Sequence, residues 1–385
     1  MKKLLLFLFI SNQSFGQIKV SSSVDGSITI TPMGIRGQTN QDFSLGSIAL
    51  GTNALASNPV GYYNTAIGDS SLRFNYSGRF NSALGNKALY LNNSGDFNTS
   101  IGAYSMKENQ FGSFNTAVGM NALRENRGGE ANTAIGLSTL FNNLYGIYNV
   151  GIGASALFEN TTGFGNVAIG VNTLVDEREG EENTAIGNHA GFGIINGSNN
   201  TLIGAHSSST GDFSNATAIG AYSSINASNK VRIGNSAVTV IEGQVPWSNP
   251  SDRRLKENIN YTSRLGLSFI TRLQTVSYNY TADQNKTRHD GFIAQDVEKV
   301  MKDLGVPFSG LKKSGDGTYS LAYSDFVMPL VNAVKEQQLE IEKLKNQVAD
   351  LEKLKEQNQV LLSSIEDIKA ELARMRASDA KIVGK

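Results

Sequence analysis

Cysteine is absent from this 385-residue chain, tryptophan occurs once, histidine three times and proline six times. Without cysteine there are no disulfide staples, no thiolate-bound zinc, no iron–sulfur cluster and no cysteine nucleophile. Histidines at 189, 206 and 289 are too few and too scattered for a histidine-rich metal centre. Net charge is missing too: 34 basic residues balance 34 acidic ones, which argues against a nucleic-acid partner held by phosphate contacts. Beyond the first residues, no apolar run approaches the roughly 20 residues a membrane-spanning helix needs. The expectation is therefore no metal, no cofactor and no membrane span in the mature chain.

Glycine is abundant, with 40 residues, and unevenly spread. Residues 1–250 hold 33 of the glycines but only 28 charges, whereas residues 251–385 carry 40 charges. Two kinds of polymer meet near residue 250. At the start, Lys2 and Lys3 precede the apolar run Leu4–Ile10, then Ser11–Ser14 and the small Gly16. This is the pattern of a secretory signal peptide (1–16), and it predicts a secreted or cell-surface protein.

After a lead-in (17–44), the chain repeats. Segments such as NTAIG, NSALG and NTAVG open on an asparagine every seventeenth residue, from Asn64 to Asn200. A glycine stands four residues on each time, Gly68 to Gly204, and another fourteen residues on in the first eight repeats, Gly78 to Gly197. SIALG at 47–51 fits one period earlier; ATAIG (216–220) and KVRIG (230–234) follow with periods of 16 and 14. One apolar column precedes the first glycine (Ile67 to Ile203), and a second lies four past it (Leu72 to Leu174). Two short strands, each followed by a turn, account for seventeen residues, and glycine supplies turn geometries closed to other residues. A single unit cannot bury its apolar residues, but stacked units form a continuous core. The expectation for 45–240 is a parallel β-solenoid, with both apolar columns inside and the asparagines forming a hydrogen-bonded ladder.

These repeats, shortening to KVRIG, resemble the head repeats of trimeric autotransporter adhesins. The resemblance implies a left-handed β-roll and lateral association of three chains. For the rod's role, a spacer and an adhesive surface for glycan or protein both remain open. Two other readings are weak. A threonine column suggests an ice-binding face but is interrupted by Val150 and Val167, and the acidic run Asp176–Glu182 reads as a solvated turn rather than a calcium site. His189 and His206, one period apart, read as surface residues.

A linker (241–250) holds Pro246, Trp247 and Pro250, and beyond it stands SDRRLKENI, with Ser251 and Lys256 five apart. A serine hydroxyl needs a base, and a desolvated lysine can supply one. A straight helix would hold the two apart, so a bent segment or a neighbouring chain must join them. SDRRLKENI, then HDGFIAQDVEKV (His289–Val300) and YSDFVMPLVNAVKEQQLEIEKL, resembles the endosialidase-type intramolecular chaperone, serine peptidase family 74. That resemblance implies a domain (251–330) that helps the preceding β-stalk to trimerise and then cuts itself off. It places the scissile bond at Pro250–Ser251, with Ser251 as nucleophile and Lys256 as general base. Asp252, His289 and Gln295 are support candidates: Asp252 orients Lys256 or caps a helix, and His289 and Gln295 belong to structure more than to catalysis.

From Val334 an apolar seam at heptad spacing continues to Met375, with a three-residue shift at Leu351–Leu354 and one polar member, Asn358. This pattern predicts an oligomeric coiled coil (331–378) with a locally overwound stammer, then a short tail (379–385). The fold class is thus mainly β: a solenoid rod, a small α+β domain and a coiled coil, in a homotrimer. The leading function is an exported, self-cleaving, adhesin-like fibre. The alternatives are a structural surface protein with an uncut assembly module and, less well supported, a polysaccharide-degrading rod.

Overall fold

A computed structural model describes residues 46–281, 283 and 285–382, together with the strands Ile18–Val20, Ile28–Thr31 and Gly34–Arg36. The signal-peptide reading falls outside the described residues. The chain forms two compact units that divide between Glu242 and Gly243.

The first unit is a parallel β-solenoid of about eleven coils. Its main sheet has fifteen strands: the first three meet antiparallel, and from Gly34–Arg36 onward every neighbour is parallel. Register is strict at one coil per strand, as in Thr116↔Thr133, Ala117↔Ala134 and Val118↔Ile135. From Ile48–Leu50 to Thr217–Ile219 each strand of this sheet is three residues long, and alternation along it buries only the middle residue. Ala66, Ala117, Ala134, Ala168 and Ala185 are fully buried there. Most residues just before the glycine point outward instead, for example Ile152 at 36% and Leu84 at 47% exposed, while Ile67 and Val118 are half-buried. The expectation that both apolar columns lie inside is therefore half wrong. The core is the alanine column facing the Leu72–Leu174 column, and the isoleucines make an external apolar stripe.

The expectation of two strands per coil also needs correcting. A second strand pairs only near the ends of the array, at Phe74–Asn75 with Leu91–Asn92 and at Ser208–Ser209 with Ser224–Ile225. Between them, left-handed residues interrupt the extended backbone: Asn121 (φ 59°) and Leu123 (φ 51°) in one coil, Ser138 (φ 54°) and Leu140 (φ 52°) in the next. Coil-to-coil bonding survives, with the Leu123 N–H donating to the Thr139 carbonyl at 2.9 Å. A left-handed leucine costs about 1–2 kcal/mol. Burying its side chain returns about 1.5–3 kcal/mol, so the core contact wins.

Both glycine columns answer a close approach between coils: a Cβ would fall 2.4 Å from the Gly129 carbonyl oxygen at Gly112 and 2.2 Å from the Gly136 carbonyl oxygen at Gly119. Gly119 also has φ 137°, a left-handed backbone. Coils touch backbone to backbone at both places.

The asparagine ladder is present. Asn115 is fully buried; its backbone N–H donates to Asn98 Oδ1 at 3.0 Å, and its Nδ2 donates to the Gly129 carbonyl at 2.8 Å. The same pattern begins at Asn64, whose N–H donates to Ser47 Oγ, and ends where the Ala216 N–H donates to Asn200 Oδ1. A second ladder, not foreseen, runs through Asn75, Asn92, Asn109, Asn126, Asn143 and Asn160. There each Nδ2 donates to the preceding rung's Oδ1, at 2.6–2.8 Å. The acidic run is corrected as well: Glu177, read as part of a solvated turn, is fully buried.

The second unit has its own core of Phe269, Val297, Phe308 and Phe326. It contains the short helices α1 (Leu267–Ile270) and α2 (Ala294–Leu304), two antiparallel hairpins and the 56-residue helix α3 (Val327–Ile382). Pro329 sits in the first turn of α3, where its missing N–H costs nothing. Glu336 and Asn332 of α3 hold the start of α1 through the Leu267 N–H (2.7 Å) and the Leu265 carbonyl (3.1 Å). Helix α3 runs unbroken through the Leu351–Leu354 shift, and its seam is exposed in the single chain, for example Leu351 at 64%. No helix among the described residues is long and apolar enough to cross a membrane.

Asn115→Ala would take the Oδ1 acceptor away from the buried Asn132 backbone N–H and one of two amide donors away from the Gly129 carbonyl. Each buried group left unpaired costs about 1–3 kcal/mol, so the urea midpoint should fall clearly. The half-exposed neighbour Thr116→Ala should barely move it.

Candidate functional site

The site begins where the extended linker ends. Trp247, at 89% exposure, and every residue from 243 to 264 lie open to solvent in the single chain. Asp252, in extended conformation, then caps a 3₁₀ turn over Arg253–Leu255 by accepting from the Arg254 N–H at 2.8 Å. Aspartate suits this position because its short carboxylate reaches the first free N–H of the turn. The turn closes with the Lys256 N–H donating to the Arg253 carbonyl at 3.1 Å.

This single tight turn reverses the chain enough to bring Lys256 back onto Ser251. Lys256 Nζ donates to Ser251 Oγ at 2.6 Å. The bend that a five-residue offset requires is thus supplied locally by one turn. Asp252 takes the capping role and not the orienting one. Its carboxylate is engaged by Arg254, with Nη2 at 2.6 Å and Nε at 3.1 Å. The Arg254 guanidinium holds the Asp252 carboxyl below its usual range, and the pairing raises Arg254 in return. Lys256 is left to the serine.

The other two support candidates lie elsewhere in the unit. His289 opens the strand His289–Gly291 opposite Val276–Tyr278, and its ring meets Tyr278 at 5.8 Å and Tyr280 at 5.2 Å. Gln295, in the first turn of α2, lines a cleft of about 590 Å³ with Tyr278, Tyr280, Phe292, Tyr319 and Tyr323. Among the described residues, no hydrogen bond or ring contact joins either to Ser251 or Lys256. Within this cleft Tyr278 hydrogen-bonds Tyr280, which with partial desolvation pushes its hydroxyl up to about 12. Gly291 is explained by close approach, since a Cβ there would sit 2.1 Å from the Tyr323 hydroxyl, which accepts from the Phe292 N–H at 2.9 Å. Sequence reasoning missed the Asp252–Arg254 pair, although an acid two residues before a base at a turn start was a readable signal. No group of three or more metal-ligating side chains occurs among the described residues.

Residues 251–306 match the protein family Peptidase_S74, described as the chaperone of endosialidase. The segment is a chaperone-of-endosialidase domain. The match opens at Ser251, takes in the Ser–Lys pair, His289 and α2, and stops short of α3. No curated protein matches the chain. A domain of this family suggests a role in the assembly of a trimeric fibre.

Gly291→Ala should displace Tyr323 and speed hydrogen exchange at the Phe292 amide. The double variant Gly291→Ala/Tyr323→Phe removes the clashing hydroxyl but also the acceptor. The amide should therefore stay fast while the melting temperature recovers in part, a coupling read by a double-mutant cycle.

Proposed function

We propose that this is an exported, homotrimeric, adhesin-like β-solenoid fibre whose chaperone-of-endosialidase domain directs assembly and then severs itself between Pro250 and Ser251. The observation that carries the cleavage step is the 2.6 Å approach of Lys256 Nζ to Ser251 Oγ, immediately after the linker. In the neutral amine form Lys256 takes the Ser251 hydroxyl proton as Oγ adds to the Pro250 carbonyl carbon. The Pro250–Ser251 C–N bond then breaks, and the proton passes to the departing amine nitrogen of Ser251. The product is an ester between the Pro250 acyl group and Ser251 Oγ. Water hydrolyses it, leaving a carboxylate on Pro250 and a free hydroxyl and amino terminus on Ser251. Nucleophile and carbonyl belong to adjacent residues, so the step is unimolecular and modest base activation suffices.

Assembly supplies what the single chain lacks. Ser251 and Lys256 are solvent-exposed in one chain, and an amine surrounded by water keeps its proton; burial against neighbouring chains favours the neutral base. Two exposed apolar features support self-association: the seam of α3 and the external stripe of the solenoid, with Ile135, Ile152, Ile169 and Ile186 each 36–39% exposed. A coiled coil raises the effective concentration of the rods and sets them in register. Cleavage then removes the template and leaves the rod held kinetically. The rod's outer surface is the part available to a glycan or protein ligand.

Denaturing gels of the full chain should show fragments spanning 17–250 and 251–385, absent in Ser251→Ala and in Lys256→Met. A single full-length band from a wild-type trimer sinks the cleavage step and leaves an uncut assembly module. Ile152→Glu should leave the coil folded, because the side chain already faces solvent, yet shift light-scattering mass from trimer toward monomer after cleavage. An unchanged mass would remove the stripe from the interface.

A further inference from the structure

The second asparagine ladder does not end by simple loss of its residue. One coil after Asn160 the equivalent place is held by Glu177, fully buried. In every earlier rung the amide Nδ2 donates back to the preceding Oδ1, as Asn160 does to Asn143 at 2.7 Å. An ionised carboxylate has no proton to donate. Two buried oxygens are left without partners at this rung, Asn160 Oδ1 and Glu177 Oε1. The other carboxyl oxygen is met by Asn183 Nδ2 at 3.5 Å.

The surroundings do not favour a charge. Neighbouring Arg178 and Glu179 are exposed, and among the described residues no lysine, arginine or histidine forms an ion pair with Glu177. Asp212 is the charged group that acts on it, and its sign opposes ionisation. The site is also closed: a Cβ on Gly180 would lie 1.9 Å from Glu177 Oε1 and 2.4 Å from the Gly197 carbonyl oxygen. Two buried, unpartnered acceptors at one rung, with no cation paired to them among the described residues, call for the smallest donor, a proton.

We propose that Glu177 is carried in the folded rod as a neutral carboxylic acid whose hydroxyl supplies the donor that the asparagine amide supplies at the earlier rungs. The ladder then continues for one further coil before Ile194 ends it. Burial pushes the Glu177 carboxyl up from 4.5 to about 8, against the lowering effect of a hydrogen bond from the Gly180 backbone. The linkage sign follows. Between about pH 4.5 and about pH 8 the folded state holds a proton that the unfolded chain has released. Stability from this rung is therefore complete below the lower value, declines as pH rises between the two, and is gone above the upper one. The rung makes the distal coils of the rod sensitive to alkali.

The test uses the full chain with Glu177→Gln and Glu177→Asn, whose amides donate at every pH. Urea midpoints are compared at constant ionic strength from about pH 5 to about pH 9. The wild-type midpoint should fall across this range relative to both variants. A protonated-carboxyl infrared band should be present at neutral pH, vanish in alkali and be missing from both variants. Midpoints that run parallel with pH, or a wild-type spectrum without that band at neutral pH, overturn the proposal. So does a wild-type midpoint in alkali that rises with added sodium or potassium while the variants stay level, because a cation would then fill the rung. The wild-type infrared titration stands even if both variants fail to fold.

Discussion

The rod depends on a pair of buried amide ladders. A seventeen-residue coil encloses an interior only an alanine and a leucine wide, so its corners turn with backbone groups facing inward and no water to meet them. Asn115 and its equivalents answer this by donating to the glycine carbonyl at one corner while accepting the next rung's backbone N–H. Asn109 and its equivalents converge on the same glycine column: Asn109 Nδ2 donates to Asn92 Oδ1 and to the Gly112 carbonyl, which also accepts from Asn98. Every rung thereby depends on the rungs on either side, which is why period and register are so strict. The glycines follow from the same constraint, because amides can bridge coils at these distances only if the backbones meet with no Cβ between them.

Much of this was legible in the sequence, and the failures have physical causes. Period, glycine columns and the first asparagine ladder were readable because a stacked structure must repeat its solution at each coil. The second ladder was written just as regularly, from Asn75 to Asn160, but in a stretch whose other positions vary. The direction of the isoleucines was misread because apolar identity does not say which way a side chain points. Period-two alternation across Thr133, Ala134 and Ile135 did say it, once the strand was known to be three residues long. Glu177 was hidden by company: among Asp176, Arg178 and Glu179 it looked like one more solvated charge, and only its register with Asn160 marks it as interior. At the junction, the spacing of Ser251 and Lys256 was visible, but the turn that joins them was not, since a 3₁₀ turn of three residues leaves almost no periodic signal.

Outward isoleucines and inward asparagines divide the work of the coil. The interior satisfies itself along the rod axis, coil upon coil, and asks nothing of another chain. The exterior carries an apolar stripe that an isolated rod would leave wet. Stability within a rod and the proposed association between rods would therefore rest on different residues, so each could be altered without the other. The exposed seam of α3 adds a second association element in the C-terminal unit, one that forms from local helical contacts and needs no long-range pairing. Local structure of this kind forms quickly, whereas parallel stacking must wait for loop closure at every coil.

That difference in timing gives the Ser251–Lys256 pair its place. A parallel stack offers an open edge at every stage of its growth, and such edges pair wrongly when chains meet out of register. In the proposed assembly, a helix that associated first would hold the chains together while the coils form, and it would be needed only until they had. Ser251 and Lys256, joined by one local turn, are solvent-exposed in the single chain. In the proposed cleavage, activation by burial would make the cut report on assembly, and a cut after the linker would sever the helper without touching a single rung of the ladder.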